Sequence, residues 1–497
     1  MNKIILLILM LCYSFSAQNY NVHLIQNINI NSFNSNSNFG VSDVWGYTDE
    51  TGIEYAIVGY RYGTFIYDVS TDPDSPILIA DIPGPSGGDY YYHRDYKTYE
   101  DYLYIVNEMT GSDTGMQVID LSPLPYNPPI QLNTYNGFNQ SHNLWIDADS
   151  GYAFIENQYP DNIQIVDVYY SSNPQYASTF GTQGNNCHDI FTRNGIAYVS
   201  EGYSSQYGIY DISNIGDITL LATIPVVGYA HNAWLNDSGT HLITTEETGG
   251  ITVKIWDIRD LDNINLVSEY LGENQLAHNV HVKDDQLFIS HYTTGIKIVD
   301  IYNPDKPVEV AAYDTYSNND SGGFYGCWGA YPFTQNNYIY ASDMQYGLFV
   351  LEYNPIYAGW SSGYVYDEYE QPLANLEFTS LLNGKTFETD QLGYYDFGFS
   401  EGMQDFEFSI DNSLDTLSII FYPHQEVEQN VYINSYNIEL GDVNQDGIIN
   451  ILDIISTVNI VLGNYEPNEF EFQLADFNND QKINILDIIC LVNIILE

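Results

Sequence analysis

An alternating strand that ends in an acid recurs seven times along the middle of this chain, and nothing else in it narrows the fold so far. The copies are TFIYD (Thr64–Asp68), MQVID (Met116–Asp120), QIVD (Gln164–Asp167), GIYD (Gly208–Asp211), KIWD (Lys254–Asp257), KIVD (Lys297–Asp300) and LFVLE (Leu348–Glu352). Their terminal acids stand 52, 47, 44, 46, 43 and 52 residues apart. After most of them comes a turn rich in Asn, Pro and Ser, and then another strand such as Ile77–Asp81 or Leu220–Pro225. Before each lies a pair of strands, for example Asn143–Asp147 followed by Tyr152–Glu156. Each unit of roughly 45 residues therefore holds four short strands.

Four strands per repeat is the signature of a β-propeller blade, and the acids count seven blades. The seventh, near 327–353, stops after its third strand. Val22–Ile30 (VHLIQNINI) alternates like the fourth strands elsewhere, and pairing it with the seventh blade would close the ring and hide exposed edges. The repeats resemble the LVIVD type. With the leader and the terminal module read below, residues 20–355 resemble the choice-of-anchor B family of secreted bacterial proteins, in which the propeller is constant and the anchor varies. That resemblance implies a fold and surface display, and no established reaction.

Five blades place a histidine just before the first strand: His93, His142, His188, His231 and His278. Blades one and seven offer Ser42–Asp43 and Cys327–Trp328 instead. The first strand of a blade lines the central channel, so these side chains should gather at one mouth. The second strand ends at the same face, in Glu108, Glu156, Glu201, Glu246 with Glu247, His291 and Asp343. Imidazoles and carboxylates converging on a funnel suit a transition metal such as zinc, manganese or iron. The opposing reading is a blade repeat that keeps His-Asn because the imidazole ties the inter-blade loop to a neighbouring carbonyl. Both readings stay open for the mouth set His93, His142, His188, His231, His278, Glu108, Glu156, Glu201, Glu246 and His291. Cys187 and Cys327 could add thiol ligands or be buried small residues.

At the C-terminus a twelve-residue oxygen-rich loop is written twice, 34 residues apart. The first runs Asp442, Asn444, Asp446, Gly447, Ile448, Asn450, Asp453, and the second Asp476, Asn478, Asp480, Gln481, Lys482, Asn484, Asp487. Side-chain oxygens fall at positions 1, 3, 5, 9 and 12, and position 7 (Ile448, Lys482) offers its backbone carbonyl, which is how a hard cation is wrapped. Helically spaced apolar residues follow each loop: Ile451, Ile454, Ile455, Val458 and Leu462, then Ile485, Ile488, Ile489, Val492 and Leu496. Residues 441–497 resemble a type I dockerin. The resemblance implies two Ca²⁺ ions and docking onto a cohesin-bearing scaffold or surface protein, with Ile451, Leu452, Ile485 and Leu486 at the partner-reading positions. Gln481 departs from the pattern, since the sharp turn at position 6 prefers glycine, at a strain of roughly 1 kcal/mol.

The chain carries 66 acidic residues against 12 basic ones, a formal charge of −54. That balance argues against nucleic acids and anionic membranes as partners, both of which need Lys and Arg. Residues 1–17 read as a secretory signal: Lys3, an apolar run Ile4–Leu11, then small residues at Ser14, Ser16 and Ala17. No later segment offers eighteen apolar residues, so no membrane insertion is expected. Cys187, Cys327 and Cys490 make no disulfide framework. The 47 tyrosines, Tyr203 and Tyr207 among them, could stack on a glycan, though tyrosine is also a good strand former.

Between propeller and dockerin, residues 359–440 resemble a carboxypeptidase-regulatory-like β-sandwich on the strength of Gly363–Asp367, Gln371–Leu373, Thr389–Asp390 and Gly393–Tyr395. Such modules act as spacers, and His424 reads as a surface residue. No nucleophile elbow, P-loop or zinc-protease helix occurs. The expectation is a mainly β secreted protein: propeller, sandwich spacer and small α-helical dockerin, acting in recognition or assembly of an extracellular, polysaccharide-processing complex. The alternative is a metal-dependent hydrolase, lyase or oxidoreductase at the mouth.

Overall fold

The computed structural model describes residues 19–30, 40–85, 93–109, 114–158, 162–184, 186–318, 322–367, 369–410, 413–433, 440–444, 449–467, 469–478 and 481–496. The leader at 1–17 and Tyr90–Tyr92 lie outside them, as do Asp446, Gly447, Ile448 and Asp480 of the calcium loops. The chain is mainly β, and its described helices all lie beyond residue 450.

Seven four-stranded antiparallel sheets span residues 23–352. Six are built from consecutive strands over 41–83, 94–135, 144–180, 189–225, 230–270 and 280–313. The seventh joins the three strands of 327–352 to His23–Ile28, which pairs antiparallel with Gly347–Glu352, Ile28 opposite Leu348 and His23 opposite Glu352. The N-terminal strand thus takes the fourth position that the seventh repeat leaves empty.

The acid closing the third strand of the first six sheets has a local task. Its carboxylate accepts a backbone N–H from the turn that follows: Asp68 from Thr71, Asp120 from Ser122, Asp167 from Tyr169, Asp211 from Ser213, Asp257 from Arg259 and Asp300 from Tyr302. A short acidic side chain folded over its own turn in this way replaces the sheet hydrogen bonds that the backbone gives up. The strand before it is buried on both faces, as in Ile296–Asp300, because sheets pack on either side.

Each core is shared by neighbouring sheets. Ile57, Ile66, Leu103 and Ile119 join the first and second, Val106, Val118, Leu144 and Ile155 the second and third. Ile163, Ile190 and Val199 join the third and fourth, and Ile209, Ile243, Ile255 and Leu287 the fourth to the sixth. Ile298, Ala341 and Leu351 link the sixth to the seventh. The seventh then shares a core with the first, through Tyr340, Leu348 and Val350 against Val41, Ala56 and Val58. Fourth strands face outward and expose Ile77, Leu78, Leu220 and Leu221.

Residues 358–432 form two further sheets around a phenylalanine-rich core that includes Phe378, Phe399, Phe406 and Phe421. This unit is bound to the sixth sheet: Trp360 Nε1 donates to the Lys306 carbonyl at 3.2 Å, and the Ala358 N–H donates to Asp300 Oδ2 at 2.9 Å. His424, read from sequence as a surface residue, is half-buried at this junction, stacked on Tyr302 at 3.9 Å with Nε2 3.1 Å from Asp300 Oδ2.

Deletion of residues 19–30 should leave the Gly347–Glu352 edge unpaired. The shortened chain is expected to melt several degrees lower and to self-associate as its concentration rises. Differential scanning calorimetry with light scattering checks this, and an unchanged melting temperature in a monomer would count against the closing role of the strand.

Candidate functional site

Two places gather chemistry. The first is the C-terminal helical region, with helices α1 (Ile451–Val461), α2 (Glu469–Ala475) and α3 (Ile485–Leu496). Asn450 caps α1 by accepting from the Leu452 N–H at 2.8 Å, and Asp453 reaches back to the Asn450 N–H at 2.8 Å, a capping box. Asp453 also accepts the Asn444 N–H at 3.0 Å, so the acid at loop position 12 ties the loop to the helix. The second loop repeats the arrangement: Asp487 accepts from Asn478 and Asn484, and Asn484 accepts from the Leu486 N–H.

Asp442, Asp453, Asp476 and Asp487 are all buried. Neither Asp453 nor Asp487 meets a Lys or Arg among the described residues, which leaves buried negative charge for a cation to balance. The donor set is oxygen throughout and therefore fits Ca²⁺, which these acids with Asn444, Asn450, Asn478, Asn484 and the Lys482 carbonyl would hold. Gln481 has φ of +63°, the left-handed conformation that glycine adopts without strain. Beyond the loops, Ile451 (65% exposed), Leu452 (50%), Ile485 (59%) and Leu486 (52%) present two copies of an apolar pair to solvent.

The second place is a ring of side chains at the starts of the first strands. His93, His142, His188, His231, His278 and Trp328 touch in a circuit that returns to its origin. Successive ring centroids are 5.1, 4.6, 4.3, 4.5, 4.1 and 4.7 Å apart. His231 and Trp328 sit at β-bulges, where the strand register shifts and a side chain can be re-aimed toward the ring. Polar residues one or two positions after three of the histidines tie their sheets to the next. Asn143 Nδ2 donates to the His188 carbonyl at 2.9 Å, Asn232 Oδ1 accepts from the Val280 N–H at 3.0 Å, and Asp95 Oδ2 accepts from the Leu144 N–H at 2.7 Å.

Two carboxylates reach the ring. Glu108 Oε1 is 2.7 Å from His142 Nδ1 and its Oε2 is 3.4 Å from His93 Nδ1. Glu247 Oε1 is 3.8 Å from His231 Nε2 and accepts a hydrogen bond from the Tyr292 hydroxyl. His278 Nδ1 donates to the Trp328 carbonyl at 2.5 Å, leaving Nε2 with its lone pair. Burial opposes charge on His142, but the hydrogen bond and charge of Glu108 outweigh it and raise its pKa. Burial, aided by the charge of His142, pushes His93 down to about 4 and His231 to about 3. Burial also holds His188 and His278 well below the ordinary histidine range. Most of the ring is therefore neutral imidazole near neutrality.

The other expected mouth residues are placed elsewhere. Glu201 accepts from the Gly184 N–H, Gln206 Nε2 and the Tyr210 hydroxyl, and so braces a loop. Glu246 pairs with Lys254 and accepts from the Gly228 N–H, while its neighbour Glu247 reaches the ring. His291 bonds Thr294 and belongs to no His–carboxylate group of the mouth. Glu156 is wholly buried, and among the described residues neither of its side-chain oxygens has a hydrogen-bond partner. Burial, then the charges of Asp189 and Asp95, raise its pKa well above the ordinary value. Cys187 and Cys327 are buried, their thiols directed at the Asp189 and Gly329 carbonyls.

Beneath the ring lie further tiers of side chains. A polar tier holds Asp43, Asp95, Asn143, Asp189, Asn232 and Asn279. Below it lie Trp145, Phe191, Trp234 and His281 in edge and tilted contacts, with Lys97 4.4 Å over Trp45. The cavities between tiers are about 10 and 30 Å³, room for a water or two and not for a substrate.

Residues 440–496 match the family described as the dockerin type I domain, and type I dockerin domains bind calcium. The duplicated loop–helix unit is thus a dockerin. The match covers this terminal module alone. No curated protein matches the chain. Among solved structures it is similar to a functionally unknown protein from Desulfotomaculum acetoxidans DSM 771. Identity there is 14% over 52% of this chain and 82% of that one, with a TM-score of 0.41.

Replacing Gln481 with glycine should relieve the left-handed strain and tighten the second calcium site about fivefold, or ~1 kcal/mol, in calorimetric Ca²⁺ titrations. Glu156→Gln tests the buried acid. A carboxyl whose folded pKa is raised binds more protons folded than unfolded, so its penalty grows as pH rises from the unfolded value of 4.5 toward the folded one. The variant should gain about 1–3 kcal/mol over the parent in denaturant unfolding at pH 8 and little at pH 4.

Proposed function

We propose that this is a secreted protein whose residues 20–355 form a seven-bladed β-propeller of LVIVD-like repeats, carried on a sandwich spacer at 359–440 and displayed outside the cell through its dockerin. Three facts support the propeller reading: seven four-stranded sheets in chain order, a core shared by the seventh and first sheets, and six ring side chains touching in a circuit. The leader at 1–17 supports export, and no described helix is long and apolar enough to cross a membrane.

The dockerin carries the functional conclusion. Dockerin domains bind cohesins on scaffold proteins, so this one supports cohesin-mediated assembly of an extracellular complex. The exposed pairs Ile451–Leu452 and Ile485–Leu486 are the surface that a cohesin would cover, and burying four large aliphatics is worth about 1.5–3 kcal/mol each. Calcium, when bound, neutralises the buried acids and holds each loop against its helix. Recognition within that complex is the propeller's role in this reading. The exposed Tyr203, stacked edge-on to Tyr229 above His188, gives a glycan a face to stack on.

A second reading places a transition metal and a reaction on polysaccharide at the mouth. One observation favours it: His93, Glu108 and His142 form one group of converging metal-ligand atoms, and His231, Glu247 and His278 form another.

Binding to a panel of type I cohesin modules, followed by biolayer interferometry, tests the main reading. At least one cohesin should bind in millimolar Ca²⁺, lose binding on chelation, and fail to bind the doubly substituted Ile451→Asp, Ile485→Asp chain. Binding that survives chelation would sink the account.

A further inference from the structure

We infer that the mouth is a paired metal centre, with one divalent transition-metal ion held by His93, Glu108 and His142 and a second by His231, Glu247 and His278. The inference rests on the metal reading of the mouth and is independent of the dockerin.

The two groups are built to one plan. In the first, Glu108 follows the second strand of the second sheet, His93 precedes the first strand of that sheet, and His142 comes from the third. In the second, Glu247 lies on the second strand of the fifth sheet, His231 on its first strand, and His278 precedes the sixth. The same three roles thus recur three sheets further on. The intervening repeats do not repeat them, since Glu156 is outside both groups and Glu201 is committed to Tyr210, Gln206 and Gly184. His188 stands between the groups, its Nδ1 3.0 Å from the Tyr229 hydroxyl.

Distances suit single ions. Ligands ~2.1 Å from a tetrahedral ion lie about 3.4 Å from one another. His93 Nδ1 and His142 Nδ1 are 3.4 Å apart, with Glu108 oxygens 3.4 and 2.7 Å from them. Two imidazole nitrogens facing each other so closely need a proton or a cation between them. In the second group the His231–Glu247 separation is 3.8 Å, and all ligand atoms of each group fall within 4.8 Å of one another.

The supporting contacts are of the kind that orient metal ligands. The Trp328 carbonyl takes the Nδ1 proton of His278 and turns Nε2 inward, and the Tyr292 hydroxyl anchors Glu247. Two imidazoles and one carboxylate select zinc, cobalt, manganese or ferrous iron over calcium or magnesium, which favour oxygen alone. Glu108 and Glu247 stay 24% and 18% exposed at the side chain, so each ion keeps an outward position for water or an oxygen-donor ligand.

The test uses the full chain, stripped with chelator, saturated with Ca²⁺ to fill the dockerin loops, and loaded with Co²⁺. Elemental analysis after desalting should find two Co²⁺ per chain, with visible d–d absorption. Glu108→Ala and Glu247→Ala should each retain one, and the double variant none. Tyr292→Phe, which removes the hydroxyl that bonds Glu247, should weaken one of the two sites about tenfold and spare the other, so the assignment survives any misfolding of the alanine variants. A single Co²⁺ lost in either glutamate variant would mean one shared site and overturn the pairing while leaving a metal at the mouth. No bound Co²⁺ in a folded parent chain would overturn both.

Discussion

A four-stranded sheet with apolar side chains on both faces cannot stand in water, and every sheet between residues 23 and 352 is of that kind. Each must find a partner on either side, so the cores run from one sheet to the next and from the seventh back to the first. The N-terminal strand completes this constraint in the hydrogen-bonding direction. Without His23–Ile28 the last sheet would present a bare edge.

The ring of histidines follows from the same packing. When sheets meet face to face, the residues that begin their first strands are brought close together, and there the backbone amides of one sheet need acceptors from another. Asp95 and Asn232 accept such amides, and Asn143 donates instead to the His188 carbonyl, one sheet to the next. The imidazoles beside them stack on their neighbours. The histidines share in these ties: His278 Nδ1 donates to the Trp328 carbonyl, and His142 Nδ1 meets Glu108 of the neighbouring sheet.

Much of this was legible in the residues. The repeat period, the missing seventh fourth strand and its N-terminal substitute, and the register of the five histidines can all be read from alternation and spacing, because strand side chains follow a period of two. The twin calcium loops are local in sequence, and so were readable down to Gln481, whose left-handed φ is the strain expected where glycine is absent. The partners of the acids were not readable. Glu246 and Glu247 are adjacent and chemically identical, and only the direction of the backbone sends one to Lys254 and the other to His231. Glu156 and Glu201 hold the same repeat position as Glu108, yet neither enters the His–carboxylate groups of the mouth. His424 looked solitary because Asp300 and Tyr302, its neighbours, are more than a hundred residues away.

By itself, then, the sequence determined the elements: the strands, their repeat, the loop–helix pairs and the residue types at each register, all of which depend on interactions within a few residues. Tertiary structure alone decided which side chains meet. It brought Glu108 and Glu247 to the histidines, sent Glu201 to brace a loop and packed two further tiers of side chains beneath them. The physical reason is that which side chains meet depends on bulges, burial and hydrogen bonds between strands and sheets, and a one-residue shift in any strand turns a carboxylate from the ring to the opposite face.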